Sequence, residues 1–464
     1  MFVGRKKELA ELTAGSKKSG VPVVVLYGRE GVGKTTLARE FARERNCVYY
    51  LGRELSKEEQ KRYFQDVLGQ VTELVNQAVR AALSATATEA AKAAKAAKAA
   101  KAAEKICFIV DEFDVMEKAY KDFFAELDAY VSESAWEDRV MLLLISSSAQ
   151  WVENQMTDDM GTFSARVVQV MKLKEFTFLE MVNRFPGSTT EECITIYSIL
   201  GGVPGYLDLW DPSESVKENI IRLMLLPGGP LRKEAARFLK TSLRELPFYN
   251  TILSVLAEDE PKLNYLYNRT GFSRAKISVY IKNLIQIDVA EKYFSYEPKK
   301  KEYVLKGLYG ISDRFLHFWY KFIFPNSSAL EYEKAEQFYK NHIENKLYEF
   351  VEQTYIQVCK EFLVLMGQYG KLPGTFDQPE SFYGKEGVIP IVLTGKDEKL
   401  LVALCKWSTE PMTGADFEEL LKRTEQLGQE ADYYYLFSKE GFRSELSAAA
   451  SGMDNIELID LESL

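Results

Sequence analysis

One octapeptide constrains the fold of this chain more than any other feature of its sequence. Residues 28–35 read GREGVGKT and match the pattern G-x-x-x-x-G-K-[ST] without a gap. The apolar run Val21–Tyr27 predicts a buried strand before the motif, and Lys34–Arg45 predicts a helix after it. In that setting the glycines let backbone N–H groups turn inward, and the helix N-terminus adds its positive dipole end. The motif therefore predicts a phosphate-binding loop (P-loop) in an α/β fold.

The side chains of the predicted P-loop have different roles. Lys34 supplies positive charge to the β- and γ-phosphates of a nucleotide, and the Thr35 hydroxyl is a Mg²⁺ ligand. We therefore expect ATP or ADP together with Mg²⁺ as the bound cofactors. The residues predicted to contact the nucleotide are Gly28, Arg29, Glu30, Gly31, Val32, Gly33, Lys34, Thr35 and Thr36.

A pair of carboxylates supplies the second half of the predicted site. Asp111 and Glu112 follow the apolar run Ile106–Val110, which predicts another buried strand. We expect Asp111 to hold Mg²⁺ and Glu112 to polarise the attacking water as general base. The alternative is a solvated loop start. Asp114, two residues later, is either a supporting group of the site or a plain helix cap.

The surrounding pattern predicts a parallel sheet. Val140–Ile145 is a third apolar run of strand length, and Glu117–Glu133 predicts a helix before it. Strands that alternate with helices indicate a parallel α/β sheet covered on both faces. A low-complexity insert at Ala81–Glu104 interrupts this pattern with lysines at every third position in an alanine background. Its composition favours a solvated helical arm or a mobile spacer.

Charge and composition exclude several classes of protein. The net charge of −9 has the wrong sign for a chain that coats nucleic acid, although a local basic patch remains open. Two histidines and five scattered cysteines, without a C-x-x-C pair, argue against a zinc site or a disulfide framework and point to Mg²⁺. The apolar runs are shorter than the roughly 18–20 residues of a membrane span, and no signal sequence is evident. We therefore expect a cytoplasmic protein that does not contact membranes.

Further residues carry a resemblance to AAA-like and STAND ATPases. Phe2–Leu9 (FVGRKKEL) resembles the box that precedes the P-loop in AAA-like ATPases and packs beside adenine, which implies that Val3 contacts the base. Gly202-Val-Pro204 resembles the G-x-P motif of STAND ATPases, whose proline lies against the base. Val140–Ser148 resembles the polar-ended fourth strand of AAA-like ATPases. This resemblance implies that Ser147 or Ser148 occupies the sensor position, and we predict that it is Ser147.

The archaeal-type ATPase family is the most specific resemblance. Phe163–Arg166, followed by Val170–Phe178, is similar to that family's arginine-containing turn and strand. The resemblance implies that Arg166 faces the γ-phosphate, while a surface salt bridge is the alternative. Phe248–Val304 resembles the family's winged helix, and Tyr309–Pro325 is close to its most distinctive segment.

The winged-helix resemblance leaves two roles open. In the predicted helix Ser273–Ile285, four apolar residues share one face, namely Ile277, Ile281, Leu284 and Ile285. Arg274, Lys276, Lys282 and Asn283 then lie on the exposed surface, and the hairpin candidate Lys292–Val304 adds Lys299–Lys301. These cations favour DNA contact, whereas the nearby acidic residues favour a purely protein-contacting domain.

The C-terminal residues resemble a PD-(D/E)XK nuclease domain that lacks its metal ligands. Glu349 matches the family's helix glutamate, and Lys406 matches the lysine of its E-C-K-W strand. Leu404 stands where that strand has its acid, and Pro390 stands where the upstream strand has its aspartate. Because neither residue can bind a divalent cation, we expect no nuclease activity. The domain would then be retained as a surface for a protein partner.

Together these patterns predict an α/β chain of four parts. A P-loop, AAA-like parallel-sheet ATPase core spans 1–173, a helical lid with the GxP motif spans 174–245, a winged helix spans 246–327, and a degenerate nuclease-like domain spans 328–464. The predicted function is an intracellular ATP-binding and ATP-hydrolysing molecular switch. The alternatives are a DNA-binding ATPase anchored through the winged helix and an inert nucleotide-binding scaffold. The oligomeric state is left open.

Overall fold

The protein divides into two compact units. The structure is a computed structural model, and it describes residues 3–84, 104–259, 262–297 and 307–464. The N-terminal unit consists of Met1–Glu175 and Val203–Gly205, and the C-terminal unit consists of Phe176–Gly202 and Tyr206–Leu464. Most of the Ala/Lys-rich insert lies outside the described residues, so the prediction for that segment stays a prediction.

The N-terminal unit is built on a parallel sheet of five strands in the order β2-β3-β4-β1-β5. The strands are β1 Val23–Tyr27, β2 Cys47–Leu51, β3 Ile106–Asp111, β4 Val140–Ser146 and β5 Val167–Lys172. Every residue of β1, β3 and β4 is buried, as expected for central strands covered by helices on both faces. The predicted parallel α/β sheet is therefore confirmed. β2 instead alternates between exposed and buried residues because it is an edge strand.

Helices cover both faces of this sheet. They are Lys6–Ser16, Lys34–Ala42, Lys57–Ser84, Phe113–Ala119, Phe123–Val131, Ala149–Asn154 and Met156–Met160, followed by the 3-10 turn Gly161–Arg166. The prediction of one helix over Glu117–Glu133 is wrong. Two helices replace it because Tyr120 leaves helical geometry, at φ −136° and ψ 88°. Tyr120 is 1% exposed in the apolar core, so burial of its ring compensates for the break.

Separate apolar clusters fill the two faces of the sheet. On one face, Phe64 packs against Phe108 and Phe123, with ring centroids 6.1 and 5.1 Å away. On the other face, Leu37 and Phe41 of the helix after the P-loop are buried. Burial of a side chain of this size contributes about 1.5–3 kcal/mol. The P-loop helix is therefore fixed to the sheet by its own apolar residues.

The first half of the C-terminal unit is helical. Its helices before residue 246 are Phe178–Val182, Thr190–Leu200, Val216–Ile220 and Glu234–Ser242, while Pro204–Leu207 straddles the division between the units. Three helices follow, namely Leu246–Leu256, Leu263–Thr270 and Arg274–Gln286. The antiparallel strands β6 Ala290–Tyr293 and β7 Leu308–Ile311 come next. The sequence of Phe248–Glu291 predicts three short helices, which the structure contains. The hairpin candidate Lys292–Val304 is placed differently, because its second strand is Leu308–Ile311, and Lys299–Lys301 lie outside the described residues.

The second half of this unit carries a mixed sheet. Helices Arg314–Phe318, Ser327–Tyr332, Ala335–His342 and Glu344–Gln368 precede it, and Gly414–Thr424 and Ser444–Ala450 lie among its strands. Its strands are β8 Glu380–Tyr383, β9 Val388–Thr394, β10 Leu400–Lys406, β11 Tyr433–Ser438 and β12 Ile456–Asp460. The order is β12-β11-β10-β9-β8, with β8, β9 and β10 antiparallel and β10, β11 and β12 parallel. The sequence predicts its three central strands, at Val388–Leu393, Leu400–Leu404 and Tyr433–Leu436, and gives no prediction for the edge strands β8 and β12.

Candidate functional site

Most of the predicted site residues meet at the carboxyl edge of the parallel sheet. The P-loop follows β1, Asp111 ends β3, and Ser147 follows β4, which lies between those two strands. Because parallel strands share one direction, their carboxyl ends lie along one edge of the sheet. Asp111 and Ser147, which are far from the P-loop in sequence, therefore lie near the N-terminus of helix Lys34–Ala42.

Glycines at the two ends of the P-loop are required by its backbone. Gly28 has φ +154°, and a Cβ there would lie 2.3 Å from the carbonyl oxygen of Leu173. Gly33 has φ +92° and directly precedes the helix. A side chain would be strained at either position. Glycine lets the loop run close to the sheet in a conformation whose N–H groups can turn inward around a phosphate.

Lys34 lies buried beneath the loop. Its Nζ donates to the carbonyl oxygens of Gly28 and Arg29, each at 2.9 Å. Burial lowers the pKa of Lys34, while the nearby carboxylates of Glu112 and Asp111 oppose that shift. Among the described hydrogen bonds, this ammonium has carbonyl partners and no carboxylate partner. It is therefore available to exchange neutral acceptors for a charged phosphate.

Asp111 is the best-anchored carboxylate of the site. Its Oδ2 accepts hydrogen bonds from Thr35 Oγ1 at 2.7 Å and from the Tyr49 hydroxyl at 2.8 Å. Its Oδ1 accepts the backbone N–H of Glu112 at 3.0 Å. Asp111 is 2% exposed, so these bonds replace lost water contacts. The Thr35 hydroxyl and the Asp111 carboxylate are oxygen donors of the kind that Mg²⁺ prefers.

Glu112 has an unusual backbone and a restrained side chain. Its φ of +53° lies in the left-handed region, which is uncommon for a residue with a Cβ and often marks functional sites. The Ser147 hydroxyl donates to Glu112 Oε1, and the Ser147 N–H donates to Oε2 at 3.3 Å. Burial raises the pKa of Glu112, and the Ser147 hydroxyl partly opposes that shift. Ser147 thus contacts the predicted base directly.

Asp114 supports the site from beneath. It lies inside helix Phe113–Ala119, whose N-cap is Glu112, so the simple helix-cap interpretation is wrong. Its carboxylate is buried and accepts from Ser146 Oγ at 2.8 Å and from Lys118 at 3.1 Å. The Ser146 Oγ in turn accepts the N–H of Ser148 at 3.0 Å. This network fixes the end of β4, from which Ser147 reaches Glu112.

Arg166 is not brought to the P-loop of its own chain. It precedes β5, and Val167 at the start of β5 pairs with Val23 at the start of β1. Arg166 therefore lies at the amino edge of the sheet, about 17 Å of strand away from the P-loop edge. Its Nε donates to Asp128 at 2.6 Å, and its Nη2 donates to Ser132 at 2.6 Å. The expectation that it faces the γ-phosphate of this chain is corrected, because these contacts are those of a salt bridge.

The GxP segment contacts the P-loop. The N–H of Gly205 donates to the carbonyl oxygen of Gly31 at 3.0 Å. A Cβ on Gly31 would lie 3.1 Å from Val203 Cγ1, and one on Gly33 would lie 4.0 Å from Pro204 Cγ. The three residues Val203–Gly205 accordingly belong to the N-terminal unit. Pro204 is thereby placed beside the loop, while its contact with the nucleotide base stays a prediction.

The remaining predicted nucleotide contacts differ in exposure. Val32 is buried, whereas Glu30 and Thr36 are exposed at the surface, and Val3 is half-buried. Arg29 is buried in the loop. Each of these assignments stays a prediction, since it depends on where the nucleotide lies.

Two residues of this site are missed by the sequence analysis. Tyr49 reaches Asp111 from β2, and a tyrosine in an alternating edge strand carries no signal of that contact. Arg5 is the other, at φ +59° and 5% exposed, and its Nη2 donates to the carbonyl oxygens of Val32 at 3.3 Å and Lys174 at 2.6 Å. The sequence does carry a signal for Arg5, because it lies within the box FVGRKKEL that precedes the P-loop.

The residues of the C-terminal unit that are compared with a nuclease motif lie in different surroundings. Lys406 Nζ donates to Asp416 Oδ2 at 2.8 Å, and Leu404 packs against the apolar core of the mixed sheet. Pro390 is buried, and Glu349 is exposed on helix Glu344–Gln368. Across the described ranges, no group of three or more histidine, cysteine, aspartate or glutamate side chains is arranged to hold a metal ion.

The basic residues of helix Arg274–Gln286 are largely packed against aromatic rings. Arg274 lies 4.5 Å from the ring centroid of Tyr267, and Lys276 lies 3.2 Å from that of Phe248. Asn283 donates to the Tyr249 hydroxyl at 2.7 Å, while Lys282 is exposed. The predicted apolar face is buried at Ile277, Ile281 and Leu284, with Ile285 half-buried.

Comparison with known protein families finds similarity in two regions of the chain. Residues 2–209 match the family described as an ATPase domain predominantly from Archaea. Residues 2–209 are therefore similar to an archaeal-type ATPase domain. The matched region contains the P-loop, both carboxylates and the GxP segment. Residues 319–423 match a second family, described as archaeal and bacterial proteins of unknown function.

Individual relatives span most of the chain. An uncharacterized protein of Methanocaldococcus jannaschii is 26% identical over 413 residues, which are 88% of this chain and 88% of that protein. The Walker-type ATPase of Pyrococcus abyssi aligns with 69% of this chain and 96% of its own, at 16% identity and a TM-score of 0.47. A STAND protein of Pyrococcus horikoshii with a tetratricopeptide repeat sensor aligns with 79% of this chain and 50% of its own, at 15% identity and a TM-score of 0.28. In the described part of this chain, every helix is too short or too polar to cross a membrane.

Proposed function

We propose that the ATPase domain hydrolyses ATP with Mg²⁺ at the P-loop, and that Glu112 is its general base. One observation carries this proposal, namely the convergence of Lys34, Thr35, Asp111 and Glu112 at one sheet edge. The four side chains supply a phosphate-facing cation, two oxygen ligands and a restrained carboxylate. These are the parts that phosphoryl transfer to water requires.

Each residue contributes a defined step. The P-loop N–H groups and Lys34 bind and orient the phosphates, because backbone donors and a buried cation both attract anions. Thr35 and Asp111 would hold the Mg²⁺, which when bound offsets phosphate charge. Glu112 accepts a proton from water, since burial makes its carboxylate more basic than an ordinary one. Ser147 keeps that carboxylate oriented.

We also propose that nucleotide state acts as a switch through the GxP segment. Val203–Gly205 belong to the N-terminal unit, whereas the residues on both sides of them in sequence belong to the C-terminal unit. The hydrogen bond from Gly205 N to Gly31 O attaches this segment to the P-loop itself. A change in P-loop geometry on ATP binding or hydrolysis would therefore be passed along the chain in both directions. The degenerate nuclease-like region would then serve a protein partner.

A nucleotide-binding experiment tests the site. Lys34→Ala removes the phosphate-facing charge and leaves the glycine turns in place. We expect ATP affinity to fall at least tenfold, which is about 1.4 kcal/mol or more, in isothermal titration calorimetry. Lys406→Ala is the matched control, because it removes a lysine from the other sheet and should leave ATP affinity unchanged. Wild-type affinity in Lys34→Ala would refute the P-loop assignment.

A hydrogen-exchange experiment tests the switch separately. Glu112→Gln loaded with ATP and wild type loaded with ADP represent the two nucleotide states. We expect amide exchange in residues 190–226 to differ between these states, because they flank the GxP segment. Lys34→Ala with the same nucleotides serves as the control and should show no difference. Identical amide exchange in the ATP-loaded and ADP-loaded proteins would contradict the switch, while the proposal of ATP hydrolysis would stand.

A further inference from the structure

Tyr49 contacts the predicted metal site from outside the known motif. It lies on the edge strand β2, in register with Ile109 of β3, and its hydroxyl donates to Asp111 Oδ2 at 2.8 Å. The neighbouring residues Val48 and Tyr50 point into the core, whereas Tyr49 is 38% exposed. Core packing therefore does not account for the position of Tyr49. Its defined polar contact is the one with Asp111.

The hydrogen bonds of Asp111 show what this contact adds. Oδ1 accepts the N–H of Glu112, and Oδ2 accepts the hydroxyls of both Thr35 and Tyr49. The N–H of Glu112 belongs to the adjacent backbone, and the Thr35 hydroxyl is itself a predicted Mg²⁺ ligand. Tyr49 is the remaining donor, and it approaches from another strand. Three donors from three directions fix the rotation of the carboxylate about its Cβ–Cγ bond.

We propose that Tyr49 is a positioning residue for Mg²⁺, and that its hydroxyl holds the Asp111 carboxylate in the orientation that binds the ion. This inference rests on the proposed ATPase function. Groups that hydrogen-bond to a metal-binding carboxylate commonly change metal affinity by about 10–100-fold when they are removed. Because Tyr49 is partly exposed and two other donors remain, the lower end of that range applies.

The Tyr49 hydroxyl could instead compete with Mg²⁺ for Asp111, and the same variant distinguishes competition from positioning. Oδ2 has two lone pairs, and both are engaged by hydroxyl donors. If Tyr49 competed with the metal for this oxygen, its removal would strengthen Mg²⁺ binding. If Tyr49 orients the carboxylate, its removal weakens Mg²⁺ binding. The direction of the change therefore decides the role.

The experiment measures Mg²⁺-dependent nucleotide binding in the full chain. Tyr49→Phe removes only the hydroxyl, and a fluorescent ATP analogue is titrated first with EDTA and then at increasing Mg²⁺. We expect wild-type affinity in EDTA and a half-saturating Mg²⁺ concentration raised about tenfold. Tyr50→Phe is the matched control, since it removes a hydroxyl that donates to Gln60 at 3.1 Å on the opposite face of the same strand. It should leave the Mg²⁺ requirement unchanged.

Three other outcomes would contradict the proposal, and they can be told apart. An unchanged or lower half-saturating Mg²⁺ concentration in Tyr49→Phe would overturn the positioning role. Equal weakening with and without Mg²⁺ would also overturn it, because the hydroxyl would then support the loop in general. If wild type itself binds ATP without any effect of Mg²⁺, the proposed ATPase site fails first, and the role of Tyr49 fails with it.

Discussion

Two lysines at strand ends illustrate how the two sheets of this protein differ. Lys34 follows β1 of the parallel sheet, and its ammonium donates only to loop carbonyls among the described contacts. Lys406 ends β10 of the mixed sheet, and its ammonium forms a 2.8 Å ion pair with Asp416. Lys34 is the lysine of the P-loop motif, and Lys406 stands where the resemblance to a nuclease strand implies a lysine. Their partners nevertheless leave one charge available and neutralise the other.

The carboxylates extend the same contrast. In the parallel sheet, Asp111 and Glu112 are held by hydroxyl and amide donors, so their negative charge is oriented but not cancelled. In the mixed sheet, Pro390 and Leu404 stand where the nuclease resemblance implies acids, and the carboxylate that contacts Lys406 is Asp416, whose charge is paired with it. Motif residues therefore indicate chemistry only where their charges stay unpaired and their geometry is fixed.

The largest predicted effect is on ATP turnover, and it tests the carboxylate of Glu112 beside the parallel sheet. Glu112→Gln removes the base and preserves the shape of the side chain. We expect ATP turnover to fall by about 10²–10⁴-fold, while ATP affinity measured by calorimetry stays within about twofold. Glu349→Gln is the matched control in the mixed-sheet region and should leave turnover unchanged. Wild-type turnover in Glu112→Gln would contradict this difference between the two sheets, because Glu112 would then have no role in catalysis.

Much of the N-terminal fold could be predicted from its sequence. Buried parallel strands appear as continuous apolar runs, which is why Ile106–Val110 and Val140–Ile145 are located to within one residue. The edge strand Cys47–Leu51 escapes this pattern because only two of its five residues are buried. The single helix predicted over Glu117–Glu133 fails for a tertiary reason, since burial of the Tyr120 ring outweighs local helix propensity.

The site shows a similar limit. P-loop residues and strand-end acids follow local spacing, so sequence alone brings Lys34 and Asp111 into one site. Arg166 follows local spacing too, yet β5 runs parallel to β1 and places it at the opposite edge. The contact between Tyr49 and Asp111 joins residues 62 positions apart and depends on strand order. Pairings of that kind are set by the tertiary fold and have no local sequence signature.

A smaller effect is expected where a neighbour only orients the base. Ser147→Ala removes the hydroxyl that donates to Glu112 Oε1 and leaves the backbone N–H contact to Oε2. We expect turnover to fall about tenfold with ATP affinity unchanged, because one of two restraints on the carboxylate is lost. Ser148→Ala is the control, since the contact of Ser148 in this network is made by its N–H. Equal losses in both serine variants would indicate general damage to the end of β4.

The ion pair of the mixed sheet should act on stability alone. Asp416 accepts from Lys406 and also forms a capping box with Thr413. Asp416→Ala should lower the free energy of unfolding by about 1–2 kcal/mol at pH 7, measured by denaturant titration, and leave ATP turnover unchanged. Glu418→Ala, an exposed acid on the same helix, should change it by less than about 0.5 kcal/mol. A loss of turnover in Asp416→Ala would contradict the separation of roles.

The pH dependence of this variant follows from the same contacts. Burial of Asp416 disfavours its charge, but hydrogen bonds from Lys406 and Thr413 outweigh that cost and lower its pKa. The stabilisation is therefore complete above the unfolded-state pKa of about 3.9 and is lost as the pH falls through the lower folded-state pKa. We expect the difference between wild type and Asp416→Ala to shrink below about pH 4. A difference that stays constant down to pH 2 would assign the effect to packing.

The smallest expected effect is no change at all, and it tests whether the mixed sheet retains phosphodiester chemistry. Cleavage requires a divalent cation held between two strands by carboxylates, and Pro390 and Leu404 provide none. We expect plasmid, single-stranded DNA and RNA to stay intact with Mg²⁺ or Mn²⁺, with or without ATP, in gel assays. The acids nearest in sequence, Glu386, Asp397 and Glu398, precede β9 and β10 rather than lying within them. Cleavage that persists in Lys34→Ala and disappears in Lys406→Ala would show that one of these acids completes a site, and Lys406 would then be a working residue despite its ion pair with Asp416.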